Sequence, residues 1–158
     1  MRQQINKAKR WVIKVGTSTL TTPDGHFSAR QLDNIVSQVA MLLKKEVEVI
    51  LVSSGAIALG MDTLKRTKRP TLLPELQACA AIGQGKLMKA YETAFSNYGF
   101  HAAQILLTQD GLQDRKKYLN ARKRWLANSA SSQGKIILDD GACRALKENG
   151  RSLLPGGF

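Results

Sequence analysis

Two apolar runs that each break into glycine and small hydroxyl residues constrain the fold of this chain more than any other feature. The first run is WVIKVGTSTLTT at 11–22, and the second is VILVSSGAIALG at 49–60. Apolar, β-branched runs are typical of buried parallel strands, and an abrupt change to Gly, Ser and Thr marks the start of a loop. Two such breaks at the same end of a parallel sheet form a crevice that suits anions such as phosphate or carboxylate.

A lysine lies close to the first break. Lys14 is one residue from the end of the first apolar run, where a cation would face the crevice. The alternative is a solvent-facing lysine on an edge strand, followed by two ordinary strand-to-helix turns. Because two matching breaks occur, we favour a binding site over that alternative.

The remaining pattern predicts alternating strands and helices. Ser28 and Gln31 form a capping-box pattern, and apolar residues recur behind them at helical spacing. A strand, a helix and a second strand in this order imply a right-handed crossover and parallel pairing. The predicted strands are 10–16, 47–53, 101–108 and 136–138, and the predicted helices are 29–45, 56–64 and 74–98.

Length and composition indicate a globular chain that is strongly basic. The 158 residues, of which 43% are hydrophobic, suffice for one domain with a sizeable core. No apolar run approaches the roughly 20 residues of a membrane span. The N-terminus has no apolar region with a cleavage site, and both cysteines are isolated, so we expect a cytoplasmic protein without a membrane partner.

The net charge of +12 invites a nucleic-acid interpretation. Basic clusters occur at 65–69, 115–117 and 122–124, and a positive field attracts polyanions. However, the clusters lack the interleaved aromatic residues and RNA motifs of such modules, and we favour their assignment to solvated loop and helix faces. A basic nucleic-acid-binding module therefore stays an alternative, and nucleic acid is not the expected partner.

Four stretches resemble a known enzyme family. KVGTSTLT at 14–21, LVSSGAIALG at 51–60, LQACAAIGQGKLM at 76–88 and QILLTQDGLQDRKKYLNAR at 104–122 are similar to bacterial glutamate 5-kinases, members of the amino-acid kinase family. KRWLA at 123–127 resembles the end of their kinase domain, and the segment 134–158 resembles the entry to their RNA-binding-like PUA domain. The family's central segment and most of its PUA domain have no counterpart here.

The resemblance implies an α/β fold. The expected architecture is a three-layer α-β-α sandwich with a mostly parallel sheet, and in this chain that architecture would be incomplete. Residues 1–127 would form an incomplete amino-acid kinase domain, and residues 128–158 a tail that resembles the connection to the PUA domain and its start. Gly83-Gln84-Gly85-Lys86 is not a Walker loop, because its spacing is wrong and it lies within a helical pattern, so we assign it to packing.

The resemblance also implies a reaction. The family uses ATP and Mg²⁺ to phosphorylate the γ-carboxylate of glutamate, which opens proline biosynthesis. Lys14 would be catalytic and, with Gly16, Thr17 and Ser18, would bind the ATP phosphates. Ser54, Gly55 and Ala56 would hold glutamate, and no residue is assigned as a metal ligand. A glutamyl phosphate reductase and further copies of the chain are the other partners that the resemblance suggests.

Two family features are missing. The Asn-Asp pair that closes over glutamate does not occur, and neither does the glycine-rich nucleotide segment with its second lysine. We therefore expect impaired catalysis and, because central strands are missing, a marginal or partner-dependent fold. A non-catalytic fragment that docks on a complete kinase subunit is a further alternative.

Overall fold

The computed structural model describes Ala8, residues 10–105, positions 116, 119, 120 and 123, and residues 134–139. Its strands and helices agree with the sequence prediction to within three residues at nearly every end. The elements in chain order are β1 (Arg10–Val15), α1 (Ala29–Lys44), β2 (Glu48–Ser53), α2 (Ala56–Thr63), α3 (Leu73–Ser96), β3 (His101–Ile105) and β4 (Gly134–Asp139). The domain boundary predicted at 127–128, and the tail beyond residue 139, lie outside the described residues, so that division stays a prediction.

The chain divides into two compact units. One unit takes its described residues from 1–14, 42–53 and 100–158, and it contains the sheet. The other consists of 15–41 and 54–99, and it contains α2 and α3. The loops that follow β1 and β2 both belong to this second unit.

Four strands of the described chain form one sheet in the order β1-β2-β4-β3. β4 runs parallel to β2, with Ile50 opposite Ile136, and parallel to β3, with His101 opposite Gly134. β2 is buried from Val49 to Ser53, as expected for an interior strand of a parallel sheet. The predicted short strand near 136–138 is confirmed, but its insertion between β2 and β3 is not evident from the sequence.

Helix α1 is amphipathic, as its spacing predicts. Its buried residues recur three and four apart, and they are Leu32, Val36, Val39, Ala40 and Leu43. The Ser28 hydroxyl accepts a hydrogen bond from the Gln31 N–H at 3.3 Å, which confirms the cap at this end. The Ser28 N–H itself donates to the Leu20 carbonyl oxygen at 2.8 Å rather than to the Gln31 side chain, so only half of the capping box forms.

Helices α2 and α3 touch through their backbones. A Cβ atom on Gly60 would lie 1.9 Å from the Cys79 carbonyl oxygen, and one on Gly83 would lie 1.8 Å from the Ala56 carbonyl oxygen. Only glycine permits such an approach. Gly83 therefore serves packing inside α3, as the sequence predicts, and Pro74 lies in the first turn of that helix.

Candidate phosphate and substrate site

The two loops predicted to form the site meet. The Ser54 N–H donates to the Val15 carbonyl oxygen at 3.0 Å, and the Ser54 hydroxyl donates to the same oxygen at 3.3 Å. The hydroxyl oxygens of Thr17 and Ser54 lie 3.2 Å apart, within hydrogen-bond distance. Residues from the first break and from the second break are thus in direct contact.

The loop after β1, residues 16–27, has an ordered internal structure, and we call it the β1 loop. Thr17–Thr19 forms one 3₁₀ turn, in which the Leu20 N–H donates to the Thr17 carbonyl oxygen at 2.9 Å. Leu20 is completely buried and anchors this turn. Further along, the Gly25 N–H donates to the Thr22 carbonyl oxygen at 2.9 Å and closes a turn over Pro23-Asp24-Gly25, residue types that favour turns.

The loop after β2 is a single sharp corner at residues 54–56, the β2 corner. Gly55 has φ +107°, a conformation that favours glycine, and it precedes the first residue of α2. The first hydrogen bond of the helix runs from the Leu59 N–H to the Gly55 carbonyl oxygen at 3.1 Å. An α-helix leaves its first N–H groups without intrahelical partners, so the β2 corner presents donors of the kind that bind carboxylates and phosphates.

The hydroxyl pair can adapt to a ligand. When the Ser54 hydroxyl donates to Val15, the Thr17 hydroxyl donates to Ser54, which keeps an oxygen lone pair. Either hydroxyl can rotate to donate to an anion instead, because hydroxyl hydrogens turn freely about the C–O bond. Thr17 is exposed and Ser54 is half-buried, so a ligand can reach both.

The other predicted site residues lie along the same stretches. Gly16 precedes the 3₁₀ turn in extended conformation, Ser18 lies within it with an exposed side chain, and Ala56 is the first residue of α2. Lys14 lies on β1 with an exposed side chain, two residues before Gly16, in the unit that contains the sheet. Its catalytic role stays a prediction.

An acidic residue that the sequence analysis did not single out also holds the β1 loop. Asp62, near the end of α2, accepts a hydrogen bond from the Phe27 N–H at 2.7 Å. Its other carboxylate oxygen lies 2.7 Å from Nδ1 of His26. Asp62 belongs to no motif, and its partners lie 35 and 36 residues away in the chain, so no local signal identifies it.

A cavity of about 280 Å³ lies beside these contacts. It is lined by Thr17, Thr21, Asp24, Gly25, His26, Ala58, Met61, Asp62, Arg66, Thr67 and Arg69. The lining carries both positive and negative charge, because it includes the guanidinium groups of Arg66 and Arg69 and the carboxylates of Asp24 and Asp62. Such a lining suits a polar or zwitterionic molecule better than a polyanion. The hydrogen bond from Arg66 to Glu75, together with the charge of that carboxylate, raises the pKa of Arg66 above its ordinary value.

Comparison with known proteins identifies the family. Residues 9–153 match the sequence profile of the amino acid kinase family. The chain belongs to the amino acid kinase family. The match covers both loops of the candidate site and all strands of the described sheet, so the resemblance seen in the four sequence stretches is confirmed.

Curated members of the amino acid kinase family that resemble this chain are glutamate 5-kinases. The enzyme of Pseudomonas putida is 43% identical over 149 residues, which are 94% of this chain and 38% of that enzyme. The enzyme of Thioalkalivibrio sulfidiphilus is 50% identical over 121 residues, which are 77% of this chain and 32% of that enzyme. The chain therefore spans about a third of the length of the curated relatives that it matches.

A solved structure supports the fold of an amino acid kinase. A carbamate kinase of Giardia superposes with a TM-score of 0.54 at 14% sequence identity, over 85% of this chain and 62% of that one. With the parallel pairing of β2, β4 and β3, this likeness confirms the predicted α/β class in an incomplete form.

Membrane-spanning helices and metal-binding clusters are both absent from the described residues. No helix among them is both long and apolar enough to cross a membrane. No group of three or more His, Cys, Asp or Glu side chains in the same part of the chain could hold a metal ion.

Proposed function

We propose that this chain carries out, at reduced rate, the reaction of a glutamate 5-kinase: transfer of the γ-phosphoryl group of ATP to the γ-carboxylate of glutamate. The product is glutamyl 5-phosphate, and the step opens proline biosynthesis. The observation that carries the proposal is the contact between Thr17 and Ser54, because it joins the predicted phosphate loop to the predicted glutamate corner. The glutamate 5-kinases at 43–50% identity support the choice of substrate.

Phosphate binding is assigned to Gly16, Thr17 and Ser18. A Cβ atom on Gly16 would meet no other atom within 4 Å, so the space over this backbone is open to a ligand. The Thr17 and Ser18 side chains are exposed and supply hydroxyl donors. Residues of this type at the end of a parallel strand are suited to close contact with phosphate oxygens.

Glutamate binding is assigned to Ser54, Gly55 and Ala56. The Ser54 hydroxyl would donate to the substrate carboxylate, and the first N–H groups of α2 would add charge stabilisation. The 3.2 Å between the Ser54 and Thr17 hydroxyl oxygens brings the carboxylate and the phosphate into reach of each other. Close approach of attacker and phosphorus is the main requirement of an in-line transfer.

Lys14 is assigned the role of stabilising negative charge on the transferred group. Two anions repel when they meet, and a positioned cation or hydrogen-bond donor of this kind contributes about 3–4 kcal/mol to the transition state. Mg²⁺ would neutralise further charge when it is bound with ATP. Since magnesium in such sites is held largely by substrate phosphates and water, it does not require a cage of protein ligands.

We expect the activity to be low for a physical reason. The Asn-Asp pair and the second lysine are absent from this sequence. Each such charged contact is worth about 3–4 kcal/mol of transition-state stabilisation, which corresponds to a rate factor of roughly 10²–10³. A complete glutamate 5-kinase should therefore be faster by several orders of magnitude.

A hydroxylamine trap tests the reaction. Incubation with glutamate, ATP and Mg²⁺ should give γ-glutamyl hydroxamate above the level without protein, at a rate far below that of a complete enzyme. Lys14→Met should remove this signal, whereas Lys45→Met, an exposed lysine after α1, should leave it unchanged. A rate equal to that of a complete enzyme would refute the expected impairment. The absence of both hydroxamate and any stabilisation by glutamate or ATP would refute the function.

The setting of the reaction follows from the same proposal. The product is an unstable acyl phosphate, so a glutamyl phosphate reductase is the expected consumer, in the cytoplasm. We also propose homo-oligomerisation, which the resemblance to glutamate 5-kinases suggests. The division into a kinase part, 1–127, and a tail, 128–158, is likewise a proposal. The non-catalytic and nucleic-acid-binding alternatives are not favoured.

A further inference from the structure

We propose that Asp62 is a positioning residue that fixes the β1 loop for phosphate binding. The inference rests on the proposed function, because it assigns a task to a side chain outside the predicted site. Asp62 lies outside the two stretches that break into Gly, Ser and Thr. Its role is evident only from the contacts that it makes from helix α2.

The Asp62 carboxylate is fully engaged with the end of the β1 loop. One oxygen accepts the Phe27 N–H at 2.7 Å, and the other lies 2.7 Å from Nδ1 of His26. The Asp62 side chain is 25% exposed, whereas that of His26 is 61% exposed. The Asp62 carboxylate is thus better shielded from solvent than the His26 imidazole. A charged acceptor also makes stronger hydrogen bonds than a neutral one.

The segment 54–63, which comprises the β2 corner and α2, therefore contacts the β1 loop at both ends of that loop. Thr17, near the start, contacts Ser54, which lies two residues before the helix begins. His26 and Phe27, at the far end, contact Asp62 in the last turn of the helix. The helical part of this segment has eight residues and is about 12 Å long, so a short, largely helical segment links the two attachment points.

Between these two attachments the β1 loop is held by its own hydrogen bonds. The Thr22 N–H donates to the His26 carbonyl oxygen at 2.8 Å, and the Thr21 hydroxyl donates to the Thr17 carbonyl oxygen at 3.1 Å. A shift of His26 is consequently transmitted toward Thr17. A loop that is fixed before the ligand arrives loses less entropy on binding, so release of its far end should weaken phosphate binding.

The test compares three variants of the full chain. Asp62→Ala removes both hydrogen bonds, whereas Asp62→Asn keeps an oxygen that can accept the Phe27 N–H. Glu75→Ala is the matched control, because it removes another carboxylate of the same unit, hydrogen-bonded to Arg66 at 3.1 and 3.2 Å, without touching the β1 loop. The readouts are amide hydrogen exchange and the dissociation constant of the Mg²⁺ complex of a non-hydrolysable ATP analogue.

In Asp62→Ala we expect amides of the β1 loop to exchange at least tenfold faster and the ATP analogue to bind about fivefold to tenfold more weakly. Amides of α3 should exchange as in the original chain. Asp62→Asn should recover part of both effects, and Glu75→Ala should show neither. Partial recovery by Asn distinguishes positioning from a simple loss of stability.

Three results would overturn the proposal. Unchanged exchange in the β1 loop of Asp62→Ala would show that the carboxylate does not hold it. Equal acceleration in α3 would show a general loss of stability. Faster loop exchange with unchanged nucleotide affinity would show that the attachment does not serve binding. If the original chain itself bound no ATP analogue, the proposed function would fail and the positioning role with it, whereas the exchange data would still decide whether Asp62 holds the loop.

Discussion

Gly55 shows how a single backbone conformation determines the β2 corner. Its φ of +107° lets the chain pass from β2 into α2 within two residues, and the β2 corner thereby places Ser54 against Thr17. A side chain at this position would be strained, and its Cβ would lie 3.4 Å from Cδ1 of Leu20. The sequence predicts this residue well, because an abrupt glycine after an apolar run is a strong local signal.

Substitution of Gly55 should therefore cost stability as well as binding. Gly55→Ala is expected to lower the free energy of unfolding by about 1–2 kcal/mol, the cost of a left-handed conformation for an L-residue. Urea denaturation followed by circular dichroism measures this.

Gly16→Ala is the matched control at the other loop. Gly16 has φ −78° and ψ 163°, which any residue can adopt, and its Cβ would meet nothing within 4 Å. The variant should keep its stability but bind the ATP analogue more weakly, because the methyl group fills the space assigned to phosphate. Equal loss of stability in both variants would contradict the different roles given to the two glycines.

At the scale of elements, the α2–α3 pair depends on two glycines that allow backbone contact. The sequence indicates both helices, and Pro74 lies in the first turn of α3, but the sequence does not indicate which faces meet. Gly60 opposite Cys79, and Gly83 opposite Ala56, become evident only in three dimensions. Asp62 is missed for the same reason, since its partners are distant in the chain.

Alanine substitutions along α3 should separate packing from helix propensity. Gly83→Ala places a methyl group 1.8 Å from the Ala56 carbonyl oxygen, so the helices must move apart. We expect a loss of about 3 kcal/mol or more in the free energy of unfolding. Gly85→Ala, two residues later on the same helix, meets nothing within 4 Å and should gain about 0.5–1 kcal/mol. Urea midpoints of the two variants provide the measurement, and a similar loss in both would rule out the packing role of Gly83.

For the molecule as a whole, β4 is the element that joins the sheet. It pairs with β2 through residues 136–139 and with β3 through residues 134–138. Local sequence patterns identify β4 as a strand but not its neighbours, because pairing between distant segments has no local signature. In the described sheet β1 and β3 are the edge strands, and the marginal fold expected from the missing central strands stays a prediction.

A proline in β4 should disrupt this arrangement. Ile137 is paired with Leu51 on one side and with Gln104 on the other. Ile137→Pro removes a backbone donor from an interior strand, which proline does not normally occupy, so we expect loss of cooperative thermal unfolding. Ile137→Val keeps the donor and the β-branched side chain, and it should change the midpoint by only a few degrees. A cooperative transition in the proline variant would show that the sheet does not depend on β4.

The position of β4 also sets an order of events during synthesis. The ribosome releases β2 and β3 well before β4, since residues 106–133 must be translated in between. At about 5–20 residues per second, the nascent chain contains β2 and β3 for a second or more without the strand that pairs with both. During that interval the edges of β2 and β3 that later pair with β4 are unpaired, and a chaperone or a neighbouring nascent chain can bind them. The yield of folded protein in the cell should therefore depend on how quickly β4 is synthesised.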